Sequence, residues 1–171
     1  MLAEHPEITV PIWAHPAFAG AVYQSHYSGV SSWLHLGKLL RIAGADMMVY
    51  PSAYGKVTIL KERYIRVAQA LLAPFYHFKP VMPAPGAGMN QALVYRTLAD
   101  LGPDAIIGAG GAIHGHPMGT RLGARSMRRV IDAAMAGVPL EEVAREHEEI
   151  RVALERWGAT AEDVGAFSLR Q

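Results

Sequence analysis

The chain contains no cysteine, which excludes disulfides, zinc–thiolate sites and thiol nucleophiles. It also lacks any apolar run approaching the ~18–20 residues of a membrane span. Neither sign of charge dominates: 16 Lys and Arg stand against 15 Asp and Glu, a formal net charge of +1. No basic face for nucleic acid is therefore expected. The opening MLAEHPEITV carries Glu4 and Glu7 and no apolar h-region, so it does not read as a secretory signal, and a cytoplasmic location is the expectation. What is present suits a soluble globular protein. With 171 residues, 51% of them hydrophobic, the chain is long enough for a single domain (1–171) with a sizeable core.

Apolar runs bounded by turn residues alternate along the chain with stripes of helical period. Residues 8–14, ITVPIWA, read as a strand ending at His15-Pro16, although Pro11 lacks the N–H a central strand needs. A loop follows, and Ser31-Ser32 cap a helix that Gly44 ends. DMMVY at 46–50 is a second strand, running into the loop Pro51-Ser52-Ala53-Tyr54-Gly55-Lys56. A helix over 61–72, with Tyr64, Val67, Ala68 and Leu71 on one side, is closed by Pro74. A third strand at 80–84 opens into Pro85-Gly86-Ala87-Gly88, and a helix from about Asn90 to Leu101 follows.

The fourth unit is the richest. Ala105, Ile106 and Ile107 begin as a buried strand and break into Gly108, Gly110 and Gly111; His114, His116, Pro117 and Gly119 then lead into a helix. A strand ending in glycines before a helix suits a phosphate, because bare backbone amides and the positive end of the helix dipole both attract an anion. A tight turn would use the same glycines. Met127, Val130 and Ile131 fall on the stripe of that helix, and Leu140 to Trp157 marks one face of a last helix. The charges between Glu141 and Arg156 read as its solvated face, and the polar tail after Gly158 as frayed. The pattern is four βα units plus a C-terminal helix, an α/β fold with a parallel sheet. Every candidate site residue falls just after a strand, where such folds place their chemistry.

Four motifs, in order, carry a resemblance: His15 after the first strand, Gly55-Lys56 after the second, Gly88 after the third, and GGAIHGHPMG after the fourth. From about Trp13 to Gly158 the chain resembles the C-terminal half of the ribulose-bisphosphate carboxylase large-subunit superfamily. The resemblance implies a partial TIM-type (βα) barrel in which Gly88, Gly110 and Gly111 bind phosphate. Lys56 on its glycine-hinged loop would stabilise developing negative charge. His15 is the acid/base candidate, since imidazole ordinarily titrates near neutrality. His114 and His116 have a chelating His-x-His spacing but no third ligand, and the family turn at His116-Pro117 favours a structural role, so no metal ligands are assigned.

The departures from the carboxylase are as informative. The arginine expected after the His15 position to grip a second phosphate is Pro16; a second expected histidine is Val49; an expected serine is Gly86. The chain thus looks like a RuBisCO-like protein, whose relatives enolise, isomerise or decarboxylate phosphorylated keto sugars or sugar acids. The family implies Mg2+, held by a carbamylated lysine and two carboxylates earlier in the barrel, and that Lys-x-Asp-Glu cluster is not found in this sequence. The expectation is a truncated or split product, inactive alone, or a half that pairs as a homo-oligomer or with a complementary chain. A half-barrel would leave two strand edges unpaired. Binding of a phosphorylated ligand without catalysis is the alternative.

Overall fold

Three short strands, β1 (Trp13–Ala14), β2 (Met47–Pro51) and β3 (Met82–Gly86), form one parallel sheet in the order β1-β2-β3. The structure is a computed structural model that describes residues 2–25 and 27–158; His26 and the polar tail beyond Gly158 lie outside them. The helices are α1 (Gly20–Tyr23), α2 (Leu39–Ile42, entered through a π-helical turn at Leu34–Lys38), α3 (Lys61–Leu72), α4 (Gln91–Leu101), α5 (Gly111–His114), α6 (Thr120–Met135), α7 (Leu140–Glu146) and α8 (Glu148–Trp157). The fold is α/β, and among the described residues no helix is long and apolar enough to cross a membrane.

Two departures from the sequence pattern involve proline. The first strand is confined to Trp13–Ala14 because Pro11 cannot donate to a ladder and the Ile12 N–H goes instead to the Asp46 carboxylate at 2.8 Å. The expected fourth strand, 105–107, lies beside β3 but is not a ladder strand: only Ile106 N–H bonds across, to the Pro83 carbonyl at 2.8 Å. The Met82 N–H is spent on Asp46 of the β2 side. The alternate donors of β3, which would face the fourth segment, belong to Pro83 and Pro85 and do not exist. The segment can donate to β3 and receive nothing back.

One face of the sheet meets helices. Ala14, Met48 and Tyr50 pack with Tyr64, Val67, Ala68 and Leu71 of α3 in one core, and α4, α6, α7 and α8 build a second around Tyr95, Val130, Leu140 and Ile150. The pleat turns the other row away from the helices. There Trp13, Met47 and Met82 stand in register across all three strands, with Trp13 52% and Met82 37% exposed.

The expected single C-terminal helix is two. The backbone leaves helical geometry at His147 (φ −131°, ψ 105°), and this break turns Glu149 inward. Glu149 is buried, so it does not belong to a solvated face; it accepts from Arg125 Nε at 3.0 Å and Arg129 Nη1 at 2.5 Å. Burial pushes its carboxyl up, but its own backbone N–H and the two arginines outweigh that and hold it below its ordinary value.

Candidate functional site

β1, β2 and β3 end at the same side of the sheet, so His15, the Gly55-Lys56 loop and Gly88 emerge together. Lys56, Gly88, Gly110 and Gly111 line one cleft of ≈ 440 Å³, with Val57, Asn90 and Trp157 completing its walls. His15 lines a second hollow, also ≈ 440 Å³, with Pro16, Tyr23, Val49, Pro51 and Gly86. The two share Val57 and Ala87 and so adjoin. The structure thus brings Lys56 and the three glycines together and sets His15 next door.

The loops after β2 and β3 touch backbone to backbone. Lys56 N–H donates to the Ala87 carbonyl. A Cβ on Gly88 would stand 2.6 Å from the Lys56 nitrogen, and one on Gly55 2.2 Å from the Ala87 oxygen. Gly88 also has φ +120°, and Ala87 before it φ +64°, a left-handed backbone that a side chain tolerates poorly.

Gly110 and Gly111 differ from Gly88: nothing lies within 4 Å of where their Cβ atoms would be. Among the described residues the N–H groups of Gly110, Gly111 and Ala112 donate to no protein acceptor. They are donors without a protein partner on residues that line the cleft, and an anion site needs such donors. The dipole contribution expected from the sequence is small. The glycines open only the four-residue α5, and the long α6 starts at Thr120.

His114 is exposed, whereas His116 is buried. His116 Nε2–H donates to the Glu149 carbonyl at 2.8 Å and Nδ1 accepts from the Met118 N–H at 3.1 Å. Nε2 ties the turn after α5 to α8 and Nδ1 braces the turn itself, so both ring nitrogens are committed to a structural role. Among the described residues no group of three or more His, Asp or Glu side chains could hold a metal ion, so these residues do not fit the implied magnesium.

Some of the wall residues belong to no motif of the sequence, Val57 among them. Asn90 shows there only as the start of a helix, and the structure makes it the N-cap, its side chain accepting from the Leu93 N–H at 3.2 Å. Trp157 looks like one more member of an apolar stripe, yet it reaches the cleft from α8. Tyr23 sits in a stretch that reads as loop and is the end of α1.

Residues 3–157 match the family described as ribulose bisphosphate carboxylase large chain, catalytic domain. The chain is 48% identical over 157 residues to the 2,3-diketo-5-methylthiopentyl-1-phosphate enolase of Geobacillus kaustophilus, covering 92% of this chain and 38% of that protein. It is 52% identical over 136 residues to a ribulose bisphosphate carboxylase-like protein of Archaeoglobus fulgidus, covering 80% of this chain and 31% of that protein. The crystal structure of a RuBisCO-like protein (MtnW) from Alicyclobacillus acidocaldarius superposes with a TM-score of 0.85 at 48% identity, covering 92% of this chain and 39% of that one. The chain therefore spans less than two fifths of the length of these relatives. With its three strand-end motifs converging and most of its length matched, the chain belongs to the ribulose bisphosphate carboxylase large-chain family.

Proposed function

We propose that this chain is the phosphate-holding part of a RuBisCO-like enolase whose substrate is a monophosphorylated diketone of the 2,3-diketo-5-methylthiopentyl 1-phosphate type. The observation that carries the reading is the asymmetry of the two adjoining hollows. One presents Lys56 and the open amides of Gly110 and Gly111; the other is walled by Pro16, Val49, Pro51 and Val57 beside His15, Tyr23 and Gln24, and among the described residues it has no lysine or arginine. A bisphosphate would need cations at both ends, whereas a phosphate at one end and an apolar thioether at the other matches the pair. Enolisation moves one proton: it leaves a carbon next to a carbonyl, and an enol forms when the oxygen is protonated. In this reading Gly88, Gly110 and Gly111 hold the phosphate, Lys56 offsets the charge developing on the oxygen, and His15 carries the proton.

The test uses the open space at Gly111. Gly111→Ala is expected to leave unfolding unchanged within ~0.5 kcal/mol, since the methyl meets no protein atom. It would nevertheless occupy the cradle and weaken inorganic phosphate binding at least about tenfold, a loss of ~1.4 kcal/mol, in a calorimetric titration. Equal phosphate affinity in the two proteins would show that the glycines serve the turn alone.

The same reading makes the chain a cytoplasmic partial barrel that works in an assembly. The open row of Trp13, Met47 and Met82 and the unpaired edge of β1 fit a complementary (βα) segment or a second copy. Since the described residues offer magnesium no ligand set, the purified chain with magnesium is expected to give no enolase turnover. Magnesium-dependent turnover without a partner would refute this. The missing ligand set equally favours a second reading, a non-catalytic half-barrel that binds a phosphorylated ligand.

A further inference from the structure

The loop carrying Lys56 runs from Tyr54 to Lys61, and both of its ends meet on one carboxylate. The Tyr54 hydroxyl donates to Asp100 Oδ2 at 2.5 Å. Lys61, the first residue of α3, places its Nζ 3.0 Å from Asp100 Oδ1. Between these points Val57 and Leu60 are 57% and 67% exposed, and the loop's inward backbone tie is the Lys56 N–H to Ala87. Asp100 lies in the last turn of α4, where a carboxylate opposes the helix dipole, so helix stability does not account for it. Packing does not account for the Tyr54 hydroxyl either. Tyr50, joined to Tyr54 through the Tyr64 ring, is buried in the same aromatic cluster with a hydroxyl that finds no partner among the described residues. Tyr54 differs in giving its hydroxyl to Asp100, while Lys61 and Arg96 lie over its ring at 5.7 and 4.6 Å.

We propose that Asp100 is a clasp: by binding the Tyr54 hydroxyl and the Lys61 ammonium on separate oxygens it closes the Lys56 loop and positions Lys56 over the cleft. Tyr54, Asp100 and Lys61 are positioning residues that act through Lys56, and the inference rests on the reading of that cleft as a phosphate site. Fixing both ends of a short loop lowers the freedom its tip must lose when an anion binds.

Hydrogen exchange and phosphate titration on the full chain test it. Tyr54→Phe keeps the ring and is expected to raise exchange at the Lys56 amide about fivefold to tenfold, with α3 and α4 protection unchanged. Asp100→Ala should do at least as much, and Asp100→Asn, which still accepts from Tyr54, should fall between. Tyr54→Phe should also weaken inorganic phosphate binding about threefold or more, but not in a Lys56→Ala background. Unchanged exchange at Lys56 in Tyr54→Phe and Asp100→Ala would overturn the clasp. So would an equal loss of phosphate affinity in both backgrounds. Exchange is read without ligand and decides the clasp even if the wild-type chain takes no phosphate, a result that would overturn only the reading of the cleft.

Discussion

Replacing Arg41 with methionine is expected to lower the unfolding free energy by about 3–5 kcal/mol, read as the change in urea midpoint at constant slope. Arg41 is only 3% exposed, and among the described residues no carboxylate pairs with it. Its guanidinium instead serves four backbone carbonyls: Nε donates to Lys79 at 3.1 Å, Nη1 to Ala70 at 3.0 Å and Ala73 at 2.6 Å, and Nη2 to Phe78 at 2.9 Å. Ala70 and Ala73 are at the end of α3, whose last carbonyls have no intrahelical donor and carry the negative end of its dipole. That accounts for a buried cation without a counter-ion. Burial lowers the Arg41 pKa, yet a guanidinium ordinarily titrates so high that it stays charged at neutrality. Methionine would fill much of the volume and strand the acceptors. Charged hydrogen bonds are worth about 1.5–3 kcal/mol each, but four sharing one group do not add, and the exposed Ala73 and Lys79 can recruit water. Lysine should recover less than half of the loss, because one ammonium cannot address acceptors spread around a planar fork.

Arg41 also shows where legibility ends. α3 was readable to its boundaries because everything that fixes it is local: the stripe Tyr64, Val67, Ala68, Leu71 and the stop at Pro74. α4 was nearly so: the helix expected from about Asn90 to Leu101 runs over Gln91–Leu101. Arg41 bonds to residues 29 to 38 positions away, and no periodicity or cap reports such a partner. The expected fourth strand is lost for a related reason. Its own residues are good strand formers, and what denies it a ladder is the proline pair in a neighbouring strand. The single C-terminal helix failed at His147, where the pull of Arg125 and Arg129 on Glu149 outweighs a continuous helical pattern. The cleft was easier, since strand ends in a parallel sheet share one side and motifs written there must converge. Asp100, on a helix end and outside every motif, gave no signal.

Gly88→Ala is expected to destabilise the chain by about 3 kcal/mol and lower Tm by about 6–12 °C. Two independent costs combine. At φ +120° the backbone of residue 88 lies where an alanine is strained. The new methyl would also meet the Lys56 nitrogen at 2.6 Å, Gly55 Cα at 3.0 Å and Gly55 C at 3.2 Å. All three are backbone atoms, so no side chain can swing aside. On the other side Gly55 is pressed against the Ala87 carbonyl, so the β2 loop cannot slide past the β3 loop without losing the Lys56–Ala87 bond. The cheapest relief is for the Lys56 loop to lift off, opposed by the Asp100 clasp at both of its ends. Gly88→Ala should therefore lose stability and phosphate affinity together, where Gly111→Ala loses affinity alone. Thermal unfolding and phosphate titration of the two variants side by side separate a backbone the fold requires from one the ligand requires. If Gly88→Ala melts within about 2 °C of the wild type, the close contact between the two loops is not what holds Lys56 in place.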